Sequence, residues 1–155
     1  MARKAKRLGD EDLKRAIAAT SIIPDIKPEN VILGPRRADL IEDGALVDVT
    51  PTAREAGFTV PMALTQAAWA RHVKVPEGDT SGQDERGRLW DVLWMAAFGA
   101  RQNRKTNSNR ITFEVISSAN EDGKLKTAVT TKLDLVIEGG DNLEPVMTIS
   151  LLGED

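Results

Sequence analysis

The chain has no cysteine and no tyrosine, and its 155 residues hold one histidine, three tryptophans and three phenylalanines. Without cysteine there is no disulfide framework, no thiolate nucleophile and no cysteine metal site, which fits a reducing, cytoplasmic setting. With one histidine a histidine-rich metal centre is excluded, and any nucleophilic triad would depend on His72 alone. So few aromatics argue against a base-stacking platform or an aromatic-rich paratope. No apolar run approaches the roughly 18 residues of a membrane span, and Met1-Ala2-Arg3-Lys4 leads into charge rather than a signal-peptide core. The net charge of −3 lacks the footprint of a dedicated nucleic-acid binder, though it leaves room for local basic patches. No phosphate loop, dinucleotide fingerprint, nucleophile elbow, zincin motif or zinc spacing occurs.

What is present is ordinary globular material. Hydrophobic content of 41% and charged content of 29% suit one soluble domain, long enough to bury roughly two thirds of its unfolded surface. The stretch from Asp84 to Arg101 organises the rest. Leu89, Leu93, Ala96, Ala97 and Ala100 recur at helical spacing, and so do Trp90, Trp94 and Phe98. After Arg88 only Asp91 interrupts the apolar surface before Arg101. A helix apolar on most sides needs cover on most sides, which predicts a buried axis. Rings standing open to water would instead make the segment itself the working site, and would unseat a binder without chemistry as the preferred reading.

Residues 1–35 read as a basic arm (Arg3, Lys4, Lys6, Arg7), a short helix capped by Asp10, and an extended connector. Residues 36–155 read as a single α+β domain. Within it, 36–43 makes one or two helical turns stopped at Gly44, and Ala45 to Val49 a short strand. Thr50-Pro51 opens a brief helix ended by Gly57. Pro61 opens a further helix with Met62, Thr65, Ala68, Trp69 and Val73 on one face. Polar loops over 76–83 and 102–109 flank the central helix. Beyond them the period becomes two: Ile111, Phe113 and Val115, then Leu125, Val129, Leu133, Leu135 and Ile137, then Met147, Ile149 and Leu151. Asn120-Glu121-Asp122-Gly123 and Gly139-Gly140-Asp141-Asn142 supply the turns. The expected architecture is α+β, with a central buried helix packed with two or more shorter helices against a small antiparallel meander sheet.

Several pieces carry a resemblance: Glu42-Asp43-Gly44-Ala45-Leu46-Val47-Asp48-Val49, Ala53-Arg54-Glu55-Ala56-Gly57-Phe58, Pro61-Met62-Ala63-Leu64-Thr65, Gln83 through Met95, and Glu144-Pro145-Val146-Met147-Thr148-Ile149. Over about residues 41–155 the chain resembles a family of small uncharacterised proteins found in bacteria, plasmids and phages, catalogued as a domain of unknown function. The resemblance implies an accessory gene of a mobile element, where small proteins often bind host or defence machinery. It implies no activity, cofactor or catalytic residue.

Asp91, between two tryptophans, reads either as a desolvated general acid or base or as a charge satisfied by Arg88 or Arg54; the second is preferred. His72 reads as a helix-end surface residue before a catalytic one. Asp39, Glu42, Asp43 and Asp48 form a loose acidic cluster whose spacing matches no calcium loop, and turn and strand-end roles account for Asp43 and Asp48. The basic arm with Arg101, Arg104, Lys105 and Arg110 could meet a phosphate backbone without reading sequence, against the simpler reading of a solvated loop and tail.

The expected function is therefore a non-catalytic protein-binding accessory or inhibitor of a mobile element, acting on a host or defence-system protein, without cofactor, metal or membrane. Its contact surface is expected to combine Asp79 in the 76–83 loop, Arg101, Arg104, Lys105 and Arg110 around the second loop, and Lys126, Thr130 and Lys132 on the polar strand face. One alternative is a nucleic-acid-associated accessory protein. Another is a hydrolase or transferase using Asp91 and His72 in one cleft.

Overall fold

Period-two sequence builds most of the sheet. In a computed structural model that describes residues 35–103 and 108–154, the strands β3 (Arg110–Glu121), β4 (Lys124–Gly139) and β5 (Pro145–Leu151) pair as consecutive antiparallel neighbours. Asp122 and Gly123 close the first hairpin with both residues at positive φ, 53° and 76°, the conformation a two-residue turn between twisted strands requires. Two shorter strands extend the meander. β1 (Leu46–Asp48) pairs antiparallel with β2 (Met62–Thr65), and β2 runs parallel to β5. Among the described residues these five strands form one mixed sheet in the order β1-β2-β5-β4-β3, curled into a half-barrel.

Four helices accompany the sheet among the described residues: α1 (Arg37–Glu42), α2 (Thr50–Glu55), α3 (Gln66–His72) and α4 (Glu85–Gln102). Only α4 exceeds two turns. The expected helix-centred α+β domain with a small meander is thus overturned: the fold is dominated by its sheet, and the helices are accessories to it. Part of the error lies at Pro61. Met62, Ala63 and Leu64 are fully buried, because β2 is an interior strand clamped between β1 and β5. A short apolar triplet covered on both faces carries neither period, and proline before it resembles a helix opening. The helix starts only at Gln66, where the Thr65 hydroxyl accepts a hydrogen bond from the Ala68 amide at 3.2 Å.

The larger correction concerns α4. It seats Leu89, Val92, Leu93, Ala96 and Ala97 in one core with Ile111, Phe113 and Val115 of β3 and Leu133 and Leu135 of β4. The opposite side faces water. Trp94 and Phe98 are each 53% exposed, so α4 is not a buried axis. Its small residues explain which side docks: Ala96, Ala97 and Gly99 let the helix backbone approach the sheet, and the large rings, on the other side, have nothing to pack under. Near the other end of the sheet, the guanidinium of Arg37 donates to Thr148 Oγ1 and to the Met147 carbonyl, both at 2.8 Å, pinning α1 onto β5. No helix among the described residues is long and apolar enough to cross a membrane.

Candidate functional site

Two features meet on the outer side of α4. The first is an aromatic row. Trp90 and Trp94, one turn apart, stack with ring centroids 6.2 Å apart and planes inclined by 27°, and Phe98 continues the line one turn later. The second is an open groove of about 560 Å³ running between the amino end of α4, the loop before it and β3. Trp90 and Asp91 form one wall, and Ile116, 70% exposed, stands on the other.

A buried cation lies at its base. Arg88 is 5% exposed, and its guanidinium donates to the Val73 carbonyl at 2.9 Å, to Gln83 Oε1 at 2.9 Å and to the Arg71 carbonyl at 3.4 Å. Gln83 passes the chain on, donating from Nε2 to Ser118 Oγ at 2.7 Å. The carbonyls come from the carboxyl end of α3 and the residue after it, where helix dipoles favour a positive charge. Burial lowers the Arg88 pKa, while the charges of Asp79, Asp91 and Glu85 act in the opposite direction. An arginine stays ionised through such a shift, which suits a buried fork with three acceptors. Ser118 is available because β3 bulges between Ser117 and Ala119. The register shift breaks the alternation and buries Ser118 and Ala119 in succession. At the amino end of α4, the Asp84 carboxylate accepts from the Gly87 amide at 2.6 Å and so fixes where the helix starts.

Residues 26–155 match the Family of unknown function (DUF6573). The chain belongs to that family. No curated protein and no solved structure matches it.

In this DUF6573 chain the residues singled out by sequence are dispersed. Asp91 is exposed and lines the groove, and it makes no hydrogen bond or ion pair among the described residues; Arg88 takes backbone carbonyls and Gln83 in its stead. His72 is not a surface residue. It is 1% exposed, neither ring nitrogen has a hydrogen-bond partner among the described residues, and burial, helped by the charges of Arg71 and Arg88, lowers its pKa to about 4. It does not line the groove that Asp91 lines.

Asp43 and Asp48 cap local turns, accepting from the Ala45 amide and from Thr50 respectively, and no cluster of three metal-ligating side chains occurs among the described residues. Asp79 closes its own loop by accepting from Ser81. Arg110 is held in an ion pair with buried Asp134 at 2.7 Å, and Lys126 pairs with Glu121 at 3.1 Å. Lys132 and Thr130 are exposed on β4 opposite Glu114 and Ile116, so Thr130 lies beside the groove's rim. Arg101 is exposed in the last turn of α4. Arg104, Lys105 and the basic arm lie outside the described residues. The exposed row of rings is the outcome set against the expected burial, and the Arg88–Gln83–Ser118 chain was not anticipated. A signal for the first existed: the rings line up on one side of the helix, away from the row of Leu89, Leu93 and Ala96.

Proposed function

We propose that this protein is a non-catalytic protein-binding module whose contact surface is the outer side of α4 with the groove beside it. One observation carries this reading: Trp94 and Phe98 stand half open to solvent on an ordered helix, next to a groove rimmed by Trp90 and Ile116. Leaving such rings half exposed forgoes roughly 1 kcal/mol or more of burial each, and large aromatics of this kind are the usual anchors of protein interfaces. Open rings move the working surface from the 76–83 and 101–110 loops onto the helix itself, as the sequence reading required. Its further condition, that a binder without chemistry then falls, is set aside because the acid among the rings, Asp91, has no catalytic partner among the described residues. The side chains found there are suited to contact. Among the described residues no histidine or second carboxylate pairs with Asp91, and buried His72 does not line the groove, which favours binding over a hydrolase or transferase reading.

The resemblance over residues 41–155 supplies the class of partner: a host or defence-system protein, with this chain as the accessory or inhibitor of a mobile element. The nucleic-acid alternative draws on Arg101 and the basic residues near it, but Asp84 and Asp91 place carboxylates along the groove, where a phosphate backbone would be repelled. Capture from a lysate of the native host tests the reading. The wild-type chain is expected to retain one stoichiometric protein, and a Trp94→Ser/Phe98→Ser variant with an unchanged circular dichroism spectrum to lose it. Equal capture by both, or capture by neither, would count against it. Titration with duplex and single-stranded DNA at two salt concentrations decides the alternative, which falls if binding is absent at low salt.

A further inference from the structure

The outer side of α4 complements itself. Asp91, Trp94, Phe98 and Arg101 follow at intervals of three, four and three residues, the seam spacing of paired helices, and all four are exposed. At 3.6 residues per turn they fall within an arc of about 80°. Read forwards the stripe is acid, ring, ring, base; read backwards it is base, ring, ring, acid. Among the described residues neither Asp91 nor Arg101 makes a side-chain hydrogen bond or an ion pair; Asp91 acts on Arg88 only through its charge, so both ends of the stripe can take a partner.

We propose that two copies of this chain pair through α4, antiparallel, about a two-fold axis level with Ala96. That register sets Trp94 of each copy against Phe98 of the other, and Asp91 of each against Arg101 of the other. Every favourable contact is then made twice, as an isologous interface demands. Parallel pairing would instead oppose Asp91 to Asp91 and Arg101 to Arg101, so the charges fix the orientation. The inference rests on the reading of the ring-bearing side of α4 as a contact surface. It assigns the stripe to a second copy, and the captured protein then meets the paired surface with the groove between Trp90, Gln83 and Ser118 beside it, so the Trp94→Ser/Phe98→Ser change removes both contacts.

Sedimentation of the full chain over a range of concentrations tests the pairing. The wild type is expected to dimerise. Asp91→Arg and Arg101→Asp, each at an exposed position, are each expected to weaken the dimer by about tenfold or more, because like charges then meet twice. The decisive arm is a mixture. Asp91→Arg carries two bases and Arg101→Asp two acids, so the two variants together are expected to form a mixed dimer that neither forms alone, an outcome a folding defect cannot imitate. A monomeric wild type, a dimer indifferent to both charge reversals, or a mixture that stays apart overturns the proposal. If the wild type is monomeric while the Trp94→Ser/Phe98→Ser variant still loses a captured protein, the second copy is ruled out and the contact surface stands.

Discussion

Gly99 of α4 and Phe113 of β3 meet so closely that a methyl group on the glycine would stand 2.8 Å from Phe113 Cβ. The obstructing atom is next to the backbone and cannot swing aside. Gly99→Ala gains about 1 kcal/mol in helix propensity but forces the helix off the sheet, at about 1–3 kcal/mol. The expected net effect is a loss of about 1 kcal/mol, read as a lower urea midpoint. A higher midpoint would mean that α4 is free to back away from the sheet.

His72 makes stability depend on pH. Its folded pKa, about 4, lies below the ordinary 6.5 because burial, and then Arg71 and Arg88, oppose the charged ring. The folded chain therefore resists a proton that the unfolded chain accepts. The contribution is whole above 6.5, falls as the pH drops towards 4, and is level below that. The loss across this window is about 3 kcal/mol. His72→Leu gives up no hydrogen bond among the described residues, since neither nitrogen has a partner there. The variant is expected to match the wild type at neutral pH and to show a shallower decline across the window in urea titrations. An unchanged slope would place the sensitivity elsewhere.

Arg110 is structural. Asp134, 2% exposed, accepts from Arg110 Nη1 and from Thr112 Oγ1, each at 2.7 Å. Arg110→Ala leaves a buried carboxylate with one donor and is expected to cost about 2 kcal/mol. Lys132→Ala, on an exposed side chain of the same sheet, is expected to cost little. In a double-mutant cycle, Arg110→Ala with Asp134→Ala should destabilise by less than the sum of the two single changes. Additive effects would show that the pair contributes nothing.

Arg88 ties the loop before α4 to the end of α3. Arg88→Met keeps the length of the side chain but strands the Val73 carbonyl and Gln83. Limited proteolysis is expected to cut between residues 74 and 84 faster in the variant. Arg88→Lys should not restore resistance, because a point charge cannot serve three acceptors in a fork. Equal cutting rates in all three proteins would show that the loop is held by other contacts.

Residues that act through near neighbours were legible. Asp122-Gly123 announced a tight hairpin, Gly57 sits at φ 105° as a helix-ending glycine should, and the alternation of Ile111, Phe113 and Val115 matches their buried side of β3. Even the start of α4 is written locally, in Asp84 and the Gly87 amide it caps. The same local logic failed at Met62-Ala63-Leu64, which became a strand because β1 pairs with it on one side and β5, more than eighty residues later, runs parallel on the other.

The site shows the division most sharply. That Trp90, Trp94 and Phe98 share a side of one helix follows from spacing alone, because the helix repeat fixes it. Whether that side is covered does not, since cover is supplied by segments far away in the chain, and here the sheet and α2 supply it only to the side of small residues. Likewise, Arg88 could be seen to lie one turn from Asp91, but its choice of the Val73 and Arg71 carbonyls over that carboxylate was made by where α3 ends in space. The sequence determined the longest helix, the turns and the alternating strands, which depend on contacts within a few residues. Only the tertiary structure decided which faces stay dry, because burial is a property of the whole packed chain.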